Sequence, residues 1–181
     1  MAKKLGILGG TFDPIHLGHL HLAKCAKDGL NLDKVLFIPA ATSPFKEGKT
    51  LSFADRLTMT AIAVADELDF EVSAIEALRE GKSYTYDTIL TLKRMYLAWE
   101  IYFLSGADAL DNFARWYNWR GILENCYLAV FSRPGYELKL AQELAGDELA
   151  KEKILLLNTE KELDISSTAL REGRGDEYLP P

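Results

Sequence analysis

Two histidines three residues apart, His16 and His19, stand close behind a glycine pair in the stretch Gly9-Gly10-Thr11-Phe12-Asp13-Pro14-Ile15-His16-Leu17-Gly18-His19. The apolar run Leu5 to Leu8 before it reads as a buried strand, and Leu20 to Ala26 after it as a helix. Glycines at a strand-to-helix turn let the backbone approach a ligand with no Cβ in the way. The free N–H groups and positive dipole end of the following helix favour phosphate. A helix begun by Leu17 places His16 and His19 on one face, both beside that anion site. His21 faces elsewhere and reads as an ordinary polar surface residue.

A second anion site is legible near the end of the chain. Ser166-Ser167-Thr168 reads as a helix N-cap cluster, and Arg171 follows one turn later. Hydroxyls beside free N–H groups, with a guanidinium in reach, make a phosphate cradle.

The elements that must position these residues alternate. A helix follows the first strand and turns at Asn31-Leu32-Asp33, and Val35 to Ile38 is a second buried strand stopped by Pro39. The segment Ala40 to Thr50 reads as a functional loop. Ser52 and Asp55 form a capping pair that opens a helix to about Leu68. Phe70 to Ser73 is a short strand, Ser83-Tyr84-Thr85 begins a helix ending near Tyr96, and Glu100 to Leu104 is a strand closed by Ser105-Gly106. A tryptophan-bearing stretch leads into a helix through Ile122, and Tyr127 to Phe131 is a fifth strand. A helix from about Glu137 to Leu144 then precedes a sixth strand, Lys153 to Leu157. Repeated βα units with continuous apolar strands predict an α/β fold, a doubly wound and mostly parallel sheet with helices on both faces. Such sheets take ligands at the carboxyl ends of their strands, where the strand order switches. The loops after the first and fourth strands are expected to open there. Residues 1–181 are expected to form a single domain, without internal repeats or linkers.

The composition, 48% hydrophobic and 27% charged, is that of a soluble globular protein. A net charge of −6 argues against a broad nucleic-acid surface, so an anionic ligand must be met by local positive groups and backbone dipoles. Cys25 and Cys126 make no disulfide framework and read as small buried hydrophobes in a reducing compartment. Because the N-terminus leads straight into an expected strand, no signal peptide is expected. No apolar run approaches the roughly 20 residues of a membrane span. A cytoplasmic protein with neither membrane nor nucleic-acid partner is expected. The sequence does not specify its oligomeric state.

The motif GGTFDPIHLGH resembles the signature of the HxGH nucleotidyltransferase superfamily. Further stretches recur in order: Ser43-Pro44-Phe45-Lys46, Ser83 to Thr88, Ser105-Gly106-Ala107-Asp108, Trp116 with Trp119, and Ile165 to Arg171. Together they are similar to the bacterial nicotinate-nucleotide adenylyltransferases over nearly the whole chain. The resemblance implies a Rossmann-like nucleotidyltransferase that joins nicotinate mononucleotide to the AMP part of ATP, releasing pyrophosphate, in NAD biosynthesis. Mg²⁺ would enter bound through the ATP phosphates, with no metal site of the protein's own. Such a transfer needs positioning and charge stabilisation rather than a protein nucleophile or base.

By the same resemblance, His16 and His19 are catalytic and hold the ATP phosphates, His19 nearest the α-phosphate. Gly9, Gly10 and Thr11 line the same cradle, while Phe12, Asp13 and Pro14 shape the turn. Gly106 and Asp108 reach the adenosine ribose. Ser166, Ser167, Thr168 and Arg171 meet the β- and γ-phosphates. Lys46 meets the phosphate of the mononucleotide, Trp116 stacks on its pyridine ring, and Thr85 lies near its carboxylate, with Trp119 left to packing. The chain departs from the family in carrying Phe45 where histidine is common, and in stopping soon after the Arg171 helix.

Overall fold

In the computed structural model of the protein, residues 2–42, 50–132, 139–158 and 166–180 are described. Six parallel strands form one sheet: β1 (Lys4–Gly10), β2 (Lys34–Pro39), β3 (Phe70–Val72), β4 (Glu100–Gly106), β5 (Tyr127–Ser132) and β6 (Ile154–Asn158). Their order is β3-β2-β1-β4-β5-β6, with Leu8 of β1 paired to Phe37 on one side and Leu104 on the other. The expected doubly wound sheet is therefore present. Its order reverses between β1 and β4, which opens a crevice at their carboxyl ends.

Successive side chains of a strand point to opposite faces, and here both sets are apolar. Leu5, Ile7, Leu36, Ile38, Ile101, Phe103, Leu128 and Val130 pack on one face. They meet Ile89 and Leu92 of α3 (Thr85–Met95) and Ile122 and Leu123 of α5 (Trp119–Asn125). Leu8, Val35, Phe37, Leu104, Ala129 and Phe131 pack on the other, against Leu20, Ala23 and Ala26 of α1 (Leu17–Leu30). Neither cysteine is in a disulfide; Cys126 is buried, and burial pushes its thiol up to about 12. Cys25 is only half-buried, with its Sγ 3.5 Å from Nε2 of His21.

Two expectations need correction, and not every element was foreseen. The helix opened by Ser52, α2 (Phe53–Ala63), ends five residues short of Leu68. Ala65 and Glu67 donate to the carbonyls of Ile62 and Val64, so the chain closes i→i+3 turns instead of propagating. Leu68, which extended the apolar pattern, is fully exposed. Of the helix expected over Glu137 to Leu144, the first two residues lie outside the described ones. Lys139 to Ala141 are not helical, so only a short helix, α6 (Gln142–Ala145), remains of it, and a second, α7 (Glu148–Lys153), follows where none was expected. Gly146 separates them, and the Asp147 side chain caps the second by accepting from Ala150 N–H at 3.0 Å. A 3₁₀ turn, Ile75–Leu78, was not anticipated; it presents the buried Ile75 and Glu76 to the core.

The start of α5 shows how tightly α3 and α5 meet. Asn118 sits in the left-handed region (φ 49°) and caps the helix by accepting from Gly121 N–H at 3.3 Å. A Cβ on Gly121 would stand 2.5 Å from Asn118 Nδ2 and 2.6 Å from the Tyr86 ring. Gly121→Ala should destabilise the protein by about 1–3 kcal/mol through this overpacking. Urea denaturation checks it, and an unchanged midpoint would show that the cap and Tyr86 yield freely.

Candidate active site

The turn after β1 is built from strained and buried parts. Phe12 has φ 48°, a conformation costly for a bulky side chain and often found at functional sites. Its ring is fully buried, packed edge-on to His19 at 5.0 Å and against Phe37 at 6.0 Å. A Cβ on Gly10 would lie 3.0 Å from that ring, so the glycine makes room for it. Asp13 is buried as well, and the Asp13–Pro14 peptide is cis. Arg56 of α2 holds the turn from below: Nη1 donates to Thr11 O at 2.6 Å and Nε to Leu51 O at 3.1 Å. Burial lowers the Arg56 pKa, and the nearby Asp13 carboxylate opposes that shift.

His16 is the N-cap residue of α1, and His19 lies in its first turn. Their rings lie 3.7 Å apart between centroids. The His16 backbone N–H donates to His19 Nδ1 at 3.2 Å. A backbone amide can only donate, so His19 Nδ1 is the acceptor and the ring's proton sits on Nε2. His16 is 6% exposed; its ring faces the His19 backbone N–H as in a capping box, but that N–H donates to His16 O at 2.9 Å, and Nδ1 is buried without a hydrogen-bond partner. A buried polar nitrogen left in that state is costly unless a bound molecule satisfies it. Desolvation lowers the His16 pKa to about 4, so the ring is neutral at pH 7 and acts as a hydrogen-bonding group.

The chain's far end meets this turn. In α8 (Ser167–Arg171), the Ser167 hydroxyl donates to Pro14 O at 2.9 Å, and Arg171 Nη1 donates to Asp13 O at 2.5 Å. Arg171 Nη2 donates to Thr168 Oγ1 at 3.0 Å, and Ser166 caps the helix by accepting from Ala169 N–H. The serine–threonine cluster and the histidine motif, far apart in sequence, are thus one locus. With five residues, α8 has little macrodipole, and the hydroxyls and guanidinium carry its charge complementarity. At the end of β4, Gly106 is the N-cap of α4 (Ala107–Leu110), and Asp108 sits in its first turn.

A cavity of about 220 Å³ opens beside the turn. Gly9, Gly10, Thr11, Thr85 and Trp116 line it, so five residues singled out in the sequence converge here. Thr85 is the first residue of α3, ahead of the i→i−4 ladder, while Asp87 N–H in the same turn already donates to Tyr84 O at 3.1 Å. Trp116 packs edge-on to Phe103 at 5.8 Å. Trp119 packs on Phe113, in line with the packing role expected of it. Lys46 and Phe45 lie outside the described residues. Sequence reasoning missed Glu76 and the clamp at Arg56, and it named Ser83 and Thr88 only within a motif, without a role, although both line the cavity. Thr88 was findable, one helical turn beyond Thr85; Glu76 and Arg56 leave no local signal.

The model of the family described as cytidylyltransferase-like matches residues 7–173. A Clostridium tetani protein named "Probable nicotinate-nucleotide adenylyltransferase" is 41% identical over 173 residues, covering 94% of this chain and 86% of its own. A Dehalococcoides mccartyi protein (strain BAV1) of the same name is 42% identical, covering all of this chain and 92% of its own. Among solved structures, a Plasmodium falciparum nicotinic acid mononucleotide adenylyltransferase complexed with NaAD shares the fold. It has a TM-score of 0.75 at 20% identity, with 94% of this chain and 83% of that one covered.

The low His16 pKa has a consequence for stability. Between about pH 4 and 6.5 the unfolded chain takes up a proton at this position that the folded chain refuses. Stability should therefore rise with pH across that window, and the contribution should level off above 6.5. Denaturation midpoints from pH 4 to 7 test this: His16→Asn should flatten the slope, and an unchanged slope would mean that His16 is solvated in the folded state.

Proposed function

The chain belongs to the cytidylyltransferase-like family, among its nicotinate-nucleotide adenylyltransferases, and from that membership we propose how its own residues transfer an adenylyl group from ATP to nicotinate mononucleotide. The products are nicotinate adenine dinucleotide and pyrophosphate, a step of NAD biosynthesis. The observation that carries the reading is the buried, unpartnered His16 Nδ1 on a helix start beside the cavity that Gly9, Gly10, Thr11, Thr85 and Trp116 line.

The phosphate of the mononucleotide is already ionised at neutral pH, so no protein base is needed. One of its oxygens attacks the α-phosphorus of ATP in line, and the bond to the bridging oxygen of pyrophosphate breaks. Charge then develops on phosphoryl oxygens, and the protein's contribution is placed donors. His19, with its proton held on Nε2, donates to the α-phosphate. His16, neutral, completes the phosphate cradle with the backbone of Gly9, Gly10 and Thr11. Ser166, Ser167, Thr168 and Arg171 take the β- and γ-phosphates, Arg171 trading its bond to Asp13 O for a charged one. Gly106 and Asp108 meet the adenosine ribose, and Lys46 meets the mononucleotide phosphate. Trp116 stacks on the pyridine ring, whose carboxylate accepts from the first turn of α3 at Thr85.

Among the described residues no cluster of three or more histidine, cysteine or acidic side chains is placed to hold a metal. A hard ion that keeps most of its waters fits such surroundings through phosphate oxygens, and we take it to be Mg²⁺. Bound there, it would neutralise charge on the phosphates. Among the described residues no helix is long and apolar enough to cross a membrane, and the substrates are those of the cytoplasm, where we place the enzyme.

The direct test incubates the protein with Mg²⁺ and ATP and with each candidate mononucleotide, and follows pyrophosphate. His19→Ala should lower kcat by ~10²–10³ with little change in KM, the loss typical of one transition-state donor. An unchanged kcat with weakened ATP binding would restrict His19 to the ground state. Nicotinate should be preferred to nicotinamide mononucleotide by about 10²-fold or more in kcat/KM. The amide turns its NH₂ toward a donor that the carboxylate would satisfy. Arg115, the cation directly before Trp116, is exposed, so Arg115→Ala should leave most of that preference intact; equal values for the two substrates would defeat the acid-specific reading.

A further inference from the structure

The cavity that receives an anionic ring also has a carboxylate in its wall. Glu76 lines it and is 8% exposed. Two negative charges a few ångströms apart in a poorly solvated pocket repel strongly. Among the described residues Glu76 has no ion-pair partner; it is held through a hydroxyl. Thr88 Oγ1 donates to Glu76 Oε1 at 2.7 Å and accepts from Arg79 Nη2 at 2.5 Å. Thr88 is buried and lines the same cavity. A hydroxyl has one proton, and Glu76 Oε1 at 2.7 Å is a nearer acceptor for it than Tyr84 O at 3.4 Å, so the cation gives to the hydroxyl and the hydroxyl gives to the carboxylate. Arg79 Nη1 is buried without a partner, and no described carboxylate lies within ion-pair distance of the guanidinium. Its charge is therefore not committed to any other group.

Resting on the nicotinate mononucleotide reading above, we propose that Arg79 is a positioning residue. Through Thr88 it neutralises Glu76 in the cavity wall, and so keeps the cavity selective for the acidic ring over its amide. The guanidinium need not touch the substrate. Without it, Glu76 would penalise a carboxylate and spare a carboxamide, because only the former carries the opposing charge.

The test measures kcat/KM for nicotinate and nicotinamide mononucleotides with the full chain and four variants. Arg79→Met should lower the acid-to-amide ratio by about tenfold or more, mainly through the KM for the acid, the size expected of one uncompensated charge nearby. Arg79→Lys, which keeps the charge, should hold most of the wild-type ratio. Glu76→Gln should raise the ratio, and Glu76→Gln with Arg79→Met should restore it to near wild type. Equal losses on both substrates in Arg79→Met, or a double variant no better than Arg79→Met, would overturn the proposal and leave Arg79 a structural role. Should Arg79→Met fail to fold, Glu76→Gln alone decides: a ratio that stays level or falls overturns it. A wild-type chain that adenylylates neither mononucleotide would defeat the functional reading itself. An acid-selective wild type whose variants keep the ratio defeats only the role of Arg79.

Discussion

The buried guanidinium of Arg56 holds the turn on which everything at the site depends. A turn that leaves a strand, buries Phe12 at a positive φ and buries the Asp13 carboxylate would not persist by local preference. Arg56 satisfies the carbonyls of Thr11 and Leu51 and sets a positive charge near Asp13. Arg171 and Ser167 bind the carbonyls of Asp13 and Pro14 from the opposite end of the chain. Buried polar groups of this kind are costly singly and specifying when fully paired. Paired here, they fix where α1 starts, and with it the positions of His16 and His19.

The sheet supplies the second constraint. Because β1 lies between β2 and β4, with all strands parallel, the segments after β1 and β4 emerge side by side at one edge. Apolar packing on both faces makes that edge the accessible place for polar chemistry. The cavity uses the boundary: Ile7, Ile38, Ile89 and Phe103 belong to the core and also form its floor, while Thr11, Thr85 and Thr88 line it with hydroxyls. An apolar floor raises the worth of each polar contact above it, the hydroxyl-linked Glu76 and Arg79 included.

A protein of net charge −6 that handles phosphates and a carboxylate cannot rely on a general positive field. In the proposed reading the anion sites instead combine helix starts, hydroxyls and single cations within a short distance. His16 is kept neutral by burial, and His19 has its tautomer set by a backbone amide, so in that reading both would act through direction more than through charge. Such donors need no reorganisation when charge appears on a phosphoryl oxygen.

The sequence by itself determined the parts that local chemistry controls. Continuous apolar runs such as Val35 to Ile38 marked parallel strands, Ser52 and Ser166 marked helix starts, and the glycine pair with two histidines marked the turn. Local pattern failed where exposure or backbone pairing overrode it. Leu68 extends an apolar period into solvent, and the helix expected up to Leu144 begins only at Gln142, with an unforeseen helix capped by Asp147 beyond Gly146. Only the tertiary structure decided that Arg171 reaches Asp13, 158 residues away, and that Arg56 clamps Thr11. It also decided that Glu76, Thr88 and Arg79 form one chain in the wall of the cavity. These are long-range or loop-borne contacts between polar groups, with no period along the chain to announce them. They exist because the parallel crossovers bring separate loops to one edge, where buried polar groups must find partners.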